Sequence, residues 1–255
     1  MYSNTERNCN LMESLHICIV IPTFNNAPVL SNVIASVLPY CHHILVVNDG
    51  STDATSTILQ SFLPHISVIS YPHNRGKGYA LRQGLLWARL HHFDAVLTLD
   101  SDGQHLASDI PLLVQCYQSH PHAFIMGSRS FSVANIPAQN TFANKFSNFW
   151  FRLQTGVSLS DTQSGFRIYP LAVMKRMLPH SHRYEAELEL LVRMAWRNIS
   201  INEAPIHVYY PPSNERISHF RPTIDFLRIS LLNVLLCLAA LLYGYPSRLI
   251  RKRPK

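Results

Sequence analysis

Leu97-Thr98-Leu99-Asp100-Ser101-Asp102-Gly103-Gln104-His105 is the stretch from which the rest of the chain can be read. Ala95 to Leu99 is an apolar run and predicts a buried strand. It stops at two carboxylates one residue apart. In extended backbone, side chains at i and i+2 point the same way. Asp100 and Asp102 therefore present oxygens to one point beyond a strand end, and Gly103 lets the chain turn there. Two like charges this close repel unless a cation lies between them. Hard oxygen ligands from few protein groups suit Mg²⁺ or Mn²⁺, with phosphates of a bound ligand completing the shell. This reading makes the pair candidate ligands of a metal that carries a nucleotide diphosphate. The competing reading is an acidic turn that caps the next helix, which Ser108-Asp109 also suits. For an isolated Asp-x-Asp that is the commoner case, so the rest of the chain has to decide.

Composition narrows the classes. The 255 residues predict one large α/β domain. Hydrophobic residues make up 47% and charged ones 15%, which supports a sizeable core and excludes disorder. The net charge of +7, from 22 Lys+Arg against 15 Asp+Glu, implies an anionic partner: nucleic acid, a phosphorylated substrate or acidic lipid. Nucleic acid ranks last, because no motif interleaves aromatic and basic residues. Cys9, Cys18, Cys41, Cys116 and Cys237 are odd in number and scattered, with no C-x-x-C pair. They read as reduced thiols, not as a disulfide framework or a zinc site. The adjacent pairs His42-His43 and His91-His92 lack ligand spacing and read as surface. Met1 to Ser14 has no apolar core of a secretory signal and reads as a flexible tail.

Before Asp100 the chain alternates. Strands are predicted at 17–21, 44–47, 66–70 and 95–99, and a further one comes at 124–126. Ile17-Cys18-Ile19-Val20-Ile21 is continuously apolar, as in a parallel strand buried on both faces. Between strands, apolar residues fall at helical spacing, as in Val29, Leu30, Val33, Ile34, Val37 and Leu38, with Pro39 as the stop. This is the pattern of βαβ units, a mostly parallel Rossmann-like sheet flanked by helices. Right-handed crossovers put the polar strand ends on one edge, where such sheets bind ligands. Thr23, Asp49, Lys77, Asp100, Asp102 and Arg129 all come after predicted strand ends. Asp49 can hydrogen-bond a ribose or base edge, though Asp-Gly predicts a turn equally well. Lys77, between Gly76 and Gly78, can approach a phosphate. Walker A and G-x-G-x-x-G patterns are absent, so any nucleotide is held by side chains and metal.

Six motifs in order carry a resemblance: Ile21-Pro22-Thr23-Phe24-Asn25, Asn48-Asp49-Gly50-Ser51-Thr52-Asp53, Asn74-Arg75-Gly76-Lys77-Gly78, Asp100-Ser101-Asp102-Gly103-Gln104-His105, Gly127-Ser128-Arg129 and Asp161-Thr162-Gln163-Ser164-Gly165-Phe166-Arg167. Together they resemble family 2 glycosyltransferases of the GT-A fold, in the dolichol-phosphate mannose and polyprenyl-phosphate glucose synthase-like branch. The resemblance implies a metal-dependent, inverting transfer from a nucleotide-sugar donor to a polyprenyl-phosphate or other lipid-linked, envelope-glycan acceptor. It implies that Pro22, Thr23 and Asn25 line the nucleotide pocket with Asp49. It places Asp100 and Asp102 on metal and sugar-diphosphate, with Gln104 completing the metal site. Arg129 would contact donor or acceptor phosphate, Asp161 and Arg167 would lie at the sugar and acceptor end, and Arg216 would clamp the donor phosphates. Should the acceptor be a hydroxyl, Asp161 is the candidate base. Glu187, in Tyr184-Glu185-Ala186-Glu187-Leu188-Glu189, reads equally as a helix-start residue and as an active-site one. Asn26 stands where the family usually has Glu, and His219 where it has Lys. Two other classes stay in view: a catalytically impaired sugar-nucleotide-binding scaffold and a sugar nucleotidyltransferase, the latter lacking its Gly-rich basic loop.

After Asp225 the composition changes. Ile229 to Tyr245 is nearly continuously apolar and flanked by basic residues. About 17 helical residues reach ~26 Å, just short of a ~30 Å hydrocarbon core. A span would also export the basic tail. The expectation is an interfacial or re-entrant hairpin helix over 222–255, after a catalytic domain at 15–221. It would hold the protein, peripheral or monotopic, at the cytoplasmic face of a membrane.

Overall fold

The computed structural model describes residues 4–129, 138–210 and 222–250. Arg216 and the flanking segment 211–221 lie outside the described residues. In chain order the elements are α1 (Asn4–Ser14), β1 (Ile17–Thr23), α2 (Ala27–Val37), β2 (Ile44–Asn48), α3 (Thr55–Phe62), β3 (Ser67–Ser70), α4 (Lys77–Leu90) and β4 (Ala95–Thr98). Then come α5 (Ile110–Ser119), β5 (Phe124–Arg129), α6 (Ala138–Thr155), β6 (Arg167–Pro170), α7 (Leu171–Met174), α8 (Glu185–Trp196) and β7 (Ile201–Ile206). The last helical run is α9 (Pro222–Ala239), a π turn (Ala240–Gly244) and α10 (Tyr245–Ile250).

The sheet has seven strands in the order β3-β2-β1-β4-β6-β5-β7. β1 pairs parallel with β2 and β4, and β2 with β3. β6 is antiparallel to both of its neighbours, β4 and β5. The predicted strands are all present, and β6 and β7 are added to them. Alternation along β1 sorts its side chains. Ile17, Ile19 and Ile21 enter one core with Leu30, Ile34 and Leu113. Cys18 and Val20 enter the other with Leu81, Leu85 and Leu190. Helices thus cover both faces, as the continuous apolar run requires. α4 lies close on β1, since a Cβ on Gly84 would fall 2.4 Å from Val20 Cγ1.

Two expectations about the ends change. Met12, where a flexible tail was expected, is fully buried in the first core and Cys9 is nearly so, because α1 turns those side chains onto the domain. Among its described residues the C-terminal segment contains no hairpin. Thr223–Ile250 is one helical run of 28 residues with a mean hydropathy of 2.1 over its most apolar window. At 1.5 Å per residue it is ~42 Å long.

That last helix is inside out. The buried side chains among its described residues include Asp225, Asn233 and Ser247, with Leu236, Ala240 and Gly244 between. Asp225 Oδ1 lies 3.4 Å from Arg183 Nε, and Arg228 Nε lies 3.6 Å from Glu185 Oε1. Gln154 Nε2 donates to Asn233 Oδ1 at 2.8 Å. Ser247 Oγ donates to Trp196 O, and Asn198 Nδ2 to Arg248 O. A Cβ on Gly244 would sit 2.5 Å from Trp196 Nε1. The opposite face exposes Leu231, Leu238, Leu241, Leu242, Leu249 and Ile250. α6 extends this surface through Phe142 and Phe149, and Phe146 stacks on Phe226.

Candidate functional site

β1 and β4 are neighbours, but the chain leaves β1 for β2 on one side and reaches β4 only later on the other. The crevice at such a reversal is where open α/β sheets bind ligands. Thr23 ends β1, and Asp100 and Asp102 come just after β4. Three buried polar atoms here have no protein hydrogen-bond partner: Thr23 Oγ1, Asn26 Oδ1 and His105 Nδ1. Buried polar atoms are normally satisfied, so this edge is chemically unfinished without a ligand or solvent.

Lys77 is the first residue of α4, and its ammonium bridges two carboxylates. Nζ is 2.7 Å from Asp100 Oδ1 and 2.9 Å from Glu187 Oε2. Burial disfavours its charge, yet Asp100 and Glu187 more than offset this and hold its pKa above the ordinary range. The flanking glycines do not cradle a ligand. A Cβ on Gly76 would meet His182 O at 2.4 Å, and one on Gly78 would meet Ala186 Cβ at 2.3 Å. They let the α4 start close onto the segment leading into α8, which brings Lys77 to Glu187. Glu187 therefore both opens a helix and belongs to the site.

Asp100 is held from several directions. Its second oxygen lies 3.7 Å from His105 Nε2, whose ring packs at 5.2 Å against Phe166. Gly165 presses on the same carboxylate, since a Cβ there would sit 2.4 Å from Oδ2. Burial raises the Asp100 pKa, but Lys77 and then His105 outweigh it and hold the carboxyl well below its ordinary value. Asp102 moves the other way, raised by burial and by the neighbouring Asp100 charge. Its Oδ1 accepts the Gln104 N–H at 3.0 Å. Asp102 and Gln104 are both partly exposed. Asn26 Nδ2 donates to Ser101 Oγ at 2.6 Å, so the residue that departs from the family pattern braces this turn.

Other predicted residues take different parts. Asn25, at φ 49°, donates its backbone N–H to Ser51 Oγ and accepts Thr52 N–H at Oδ1, so it ties two strand-end loops together. Pro22 lies in β1, opposite Val47 of β2. Both Asp49 oxygens accept backbone N–H groups, of Arg75 at 2.7 Å and Gly76 at 2.8 Å. In this structure Asp49 thus shapes the loop before Lys77. Asp161 is fully buried and accepts four N–H groups: Arg129 Nε at 2.6 Å, Arg129 Nη2 at 2.8 Å, Arg129 N at 3.2 Å and Gln163 N at 3.0 Å. Arg167 is 1% exposed and donates to the carbonyls of Ser164, Thr162 and Glu187. It holds the 162–164 loop and the α8 start in place, as a positioning residue. The sequence left His105 without a role; its adjacency to Gln104 was the only signal. For Glu187 the signal was stronger, because three acids at alternate positions in one helical turn cannot all face water. Glu185, Glu187 and Glu189 are all buried, and each has its own cation: Arg228, Lys77 and Arg193.

This geometry coincides with a family signature. The model of the family described as Glycosyl transferase family 2 matches residues 18–178, more than half of the chain. The chain belongs to glycosyl transferase family 2. Among its relatives, a UDP-N-acetylglucosamine–dolichyl-phosphate N-acetylglucosaminyltransferase of Methanococcus voltae is 26% identical over 215 residues, 76% of this chain and 86% of that one. A polyprenol monophosphomannose synthase of Mycolicibacterium smegmatis is 26% identical over 200 residues, 74% of this chain and 75% of that one. Among solved structures, glucosyl-3-phosphoglycerate synthase of Mycobacterium tuberculosis, in complex with Mn²⁺, UDP-glucose and phosphoglyceric acid, superposes with a TM-score of 0.69. Its identity is 20%, with 94% of this chain and 84% of that one covered. That likeness is one of fold, and it bears out the GT-A expectation for this family member.

Proposed function

We propose that this glycosyltransferase moves a sugar from a nucleotide-sugar donor to a polyprenyl phosphate or a related lipid-linked acceptor, with inversion at the anomeric carbon. The observation that carries the acceptor class is the state of Asp161. A carboxylate offers about four lone-pair sites, and Arg129 and Gln163 take up four N–H bonds there. The residue best placed by sequence to deprotonate a hydroxyl is therefore engaged as a positioning group for Arg129. Glu187 is engaged by Lys77. A phosphate acceptor arrives as an anion and needs no base. The relatives named for dolichyl or polyprenyl phosphate support the same class.

The donor set fits a hard divalent cation. Asp102 and Gln104 would hold it, with Asp100 on its flank, and both offer oxygen. When bound, Mg²⁺ or Mn²⁺ would neutralise charge on the leaving diphosphate; the structural neighbour with Mn²⁺ and UDP-glucose is consistent with that. The chain's own groups do the rest. Lys77 keeps Asp100 ionised and oriented beside the strand end. Thr23 and Asn25, at and just past the end of β1, would line the nucleotide side of the cleft, and Arg129, oriented by Asp161, would supply a cation for a phosphate. An oxocarbenium-like centre next to Asp100, Asp102 and Glu187 would be stabilised by their charge.

The exposed apolar face of α9–α10 supports a monotopic seat on the membrane. Contacts at both ends of the run, Arg183–Asp225 and Asn198–Arg248, fasten it to the same domain. A helix fastened along its length lies beside the domain and not across a bilayer, and its outward leucines suit lipid.

The first test is binding of nucleoside diphosphates with and without Mn²⁺, in wild type and Asp102→Ala. The expected result is metal-dependent binding of one nucleotide, with turnover to polyprenyl phosphate falling by ~10²–10³-fold in the variant. That corresponds to losing several kcal/mol of charge stabilisation. Nucleotide binding that ignores both metal and Asp102 would sink this reading and bring the scaffold reading forward.

A further inference from the structure

A second cluster of ligating side chains lies away from the strand-end cleft, at the edge where β1 and β2 begin. Cys9 and Glu13 are one turn apart on α1 and so share a helix face. His42 comes from the loop between α2 and β2. One Sγ, one carboxylate oxygen and one imidazole nitrogen lie within 4.8 Å of one another, the one such trio among the described residues. His42 Nε2 is 3.9 Å from Glu13 Oε1, too far for a hydrogen bond. Two donors each ~2.1 Å from a tetrahedral ion lie ~3.4 Å apart, so a small closure brings this pair into range.

We infer that Cys9, Glu13 and His42 form a site for one borderline divalent cation of the zinc class, separate from the candidate catalytic metal. Thiolate, imidazole and carboxylate together suit Zn²⁺ and are a poor match for Mg²⁺. Cys9 is 5% exposed, whereas the side chains of Glu13 and His42 are 41% and 73% exposed. The sulfur thus forms the floor and the other two form an open rim, which leaves a fourth position for water. Burial and the Glu13 charge push the Cys9 thiol up, with the His42 backbone N–H partly opposing them. Metal binding therefore releases the thiol proton to solvent. Cys41, behind the site, already shares contacts with His43 N and Ile17 O and is not needed. The ion would tie α1 to the α2–β2 loop, so a helix held mainly by Met12 and Cys9 gains a second clasp. The sequence offered no hint, because His42 is 33 residues from Cys9 and pairs visually with His43.

The test uses the full chain under reducing conditions, titrated with Co²⁺ and then Zn²⁺. One equivalent of Co²⁺ should produce a thiolate-to-cobalt charge-transfer band that Zn²⁺ bleaches. The band should be lost in Cys9→Ser and unaffected in Asp102→Ala. It should also survive Cys116→Ser, which removes a Cys–His pair elsewhere, Cys116 and His120 at 4.0 Å. Cys9 is buried and its variant could fail to fold, so exposed His42→Ala carries the decision. It should keep the metal-free melting temperature of wild type and lose the rise in melting temperature that Zn²⁺ gives wild type. Absence of the band in wild type overturns the site, and so does a His42→Ala variant that still responds to Zn²⁺ like wild type.

Discussion

The sheet and the C-terminal helix of this chain bury opposite things. In the sheet, β1, β2 and β4 bury apolar side chains on both faces and gather polar ones at a single edge. In α9–α10 the domain-facing stripe mixes Asp225, Asn233 and Ser247 with Leu236, Ala240 and Gly244, while Leu231, Leu238, Leu241, Leu242 and Leu249 face outward. Apolar burial at ~25 cal/mol per Å² accounts for the first arrangement and for only part of the second, through Leu236 and Ala240. The helix is fastened by hydrogen bonds, ion pairs, close packing at Gly244 and the core contacts of Leu236 and Ala240, and most of its leucines lie outside these contacts. One region is built to be dry inside and wet at its rim. The other is polar and tightly packed toward the domain and apolar on its outer face, the face proposed above to meet lipid.

Four variants test this contrast, in falling order of effect. Lys77→Met removes the cation shared by Asp100 and Glu187. Breaking a fully buried ion pair costs ~3–5 kcal/mol; with Lys77 20% exposed, urea denaturation should show a loss of ~2–3 kcal/mol. A change below ~0.5 kcal/mol would mean the triad is held by packing alone. Gly244→Ala forces a methyl against the Trp196 indole, whose N–H already donates to Gln154 O at 2.8 Å. Overpacking of this kind costs ~1–3 kcal/mol, so the melting temperature should fall; an unchanged value would mean that the helix is not seated on the domain.

The third concerns Glu189, which receives N–H bonds from His180 and Ser181 and pairs with Arg193 at 2.7 Å. Burial opposes its charge, but these donors win and lower its pKa. Its stabilising contribution is thus complete above the ordinary glutamate pKa of ~4.3 and is lost as pH falls through the lower folded-state value. The stability gap between wild type and Glu189→Gln should be constant at neutral pH and shrink in acid. A gap that widens in acid contradicts the assignment. Last, Leu242→Ser with Leu249→Ser changes two side chains that are 84% and 88% exposed. Stability should move by less than ~0.5 kcal/mol, while sedimentation with anionic vesicles falls. Retained vesicle binding would remove the lipid-facing role of this surface.

The parallel half of the sheet was legible because its strands are continuous β-branched runs with turn chemistry at each end. β6 was not. Arg167-Ile168-Tyr169-Pro170 is short and opens with a charged residue, whose guanidinium is made tolerable in the interior by three carbonyls, the Tyr169 hydroxyl and the nearby Glu187 and Asp100 charges. β7 contains Asn202, Glu203 and Pro205, a composition that fits an edge strand and hides its periodicity. At the site, Asp100, Asp102 and Lys77 were legible from their places after strands. The engagement of Asp161 by Arg129 was not, because it joins residues 32 positions apart in the chain, and a contact of that range leaves no mark in local spacing. α1 was read as a tail because its polar residues dominate, and Met12 and Cys9 are the few that carry its docking.

The reversal of β6 has a consequence for the order in which the molecule opens. A parallel strand brings to the ligand edge the segment on its C-terminal side, whereas an antiparallel one brings the segment on its N-terminal side. β6 lies between β4 and β5, fully buried, and the 161–166 loop arrives at the edge just before it. Amide exchange is slowest where a strand is paired on both sides and covered on both faces. The loop that presses Gly165 on Asp100 and holds Arg129 through Asp161 is therefore hung from a strand whose amides should be among the slowest to exchange. Of the outer strands, β7 reaches the same loop, since Glu203 Oε1 accepts the Ser160 N–H at 2.9 Å and the Asp161 N–H at 3.3 Å, so opening of that edge is coupled to the wall.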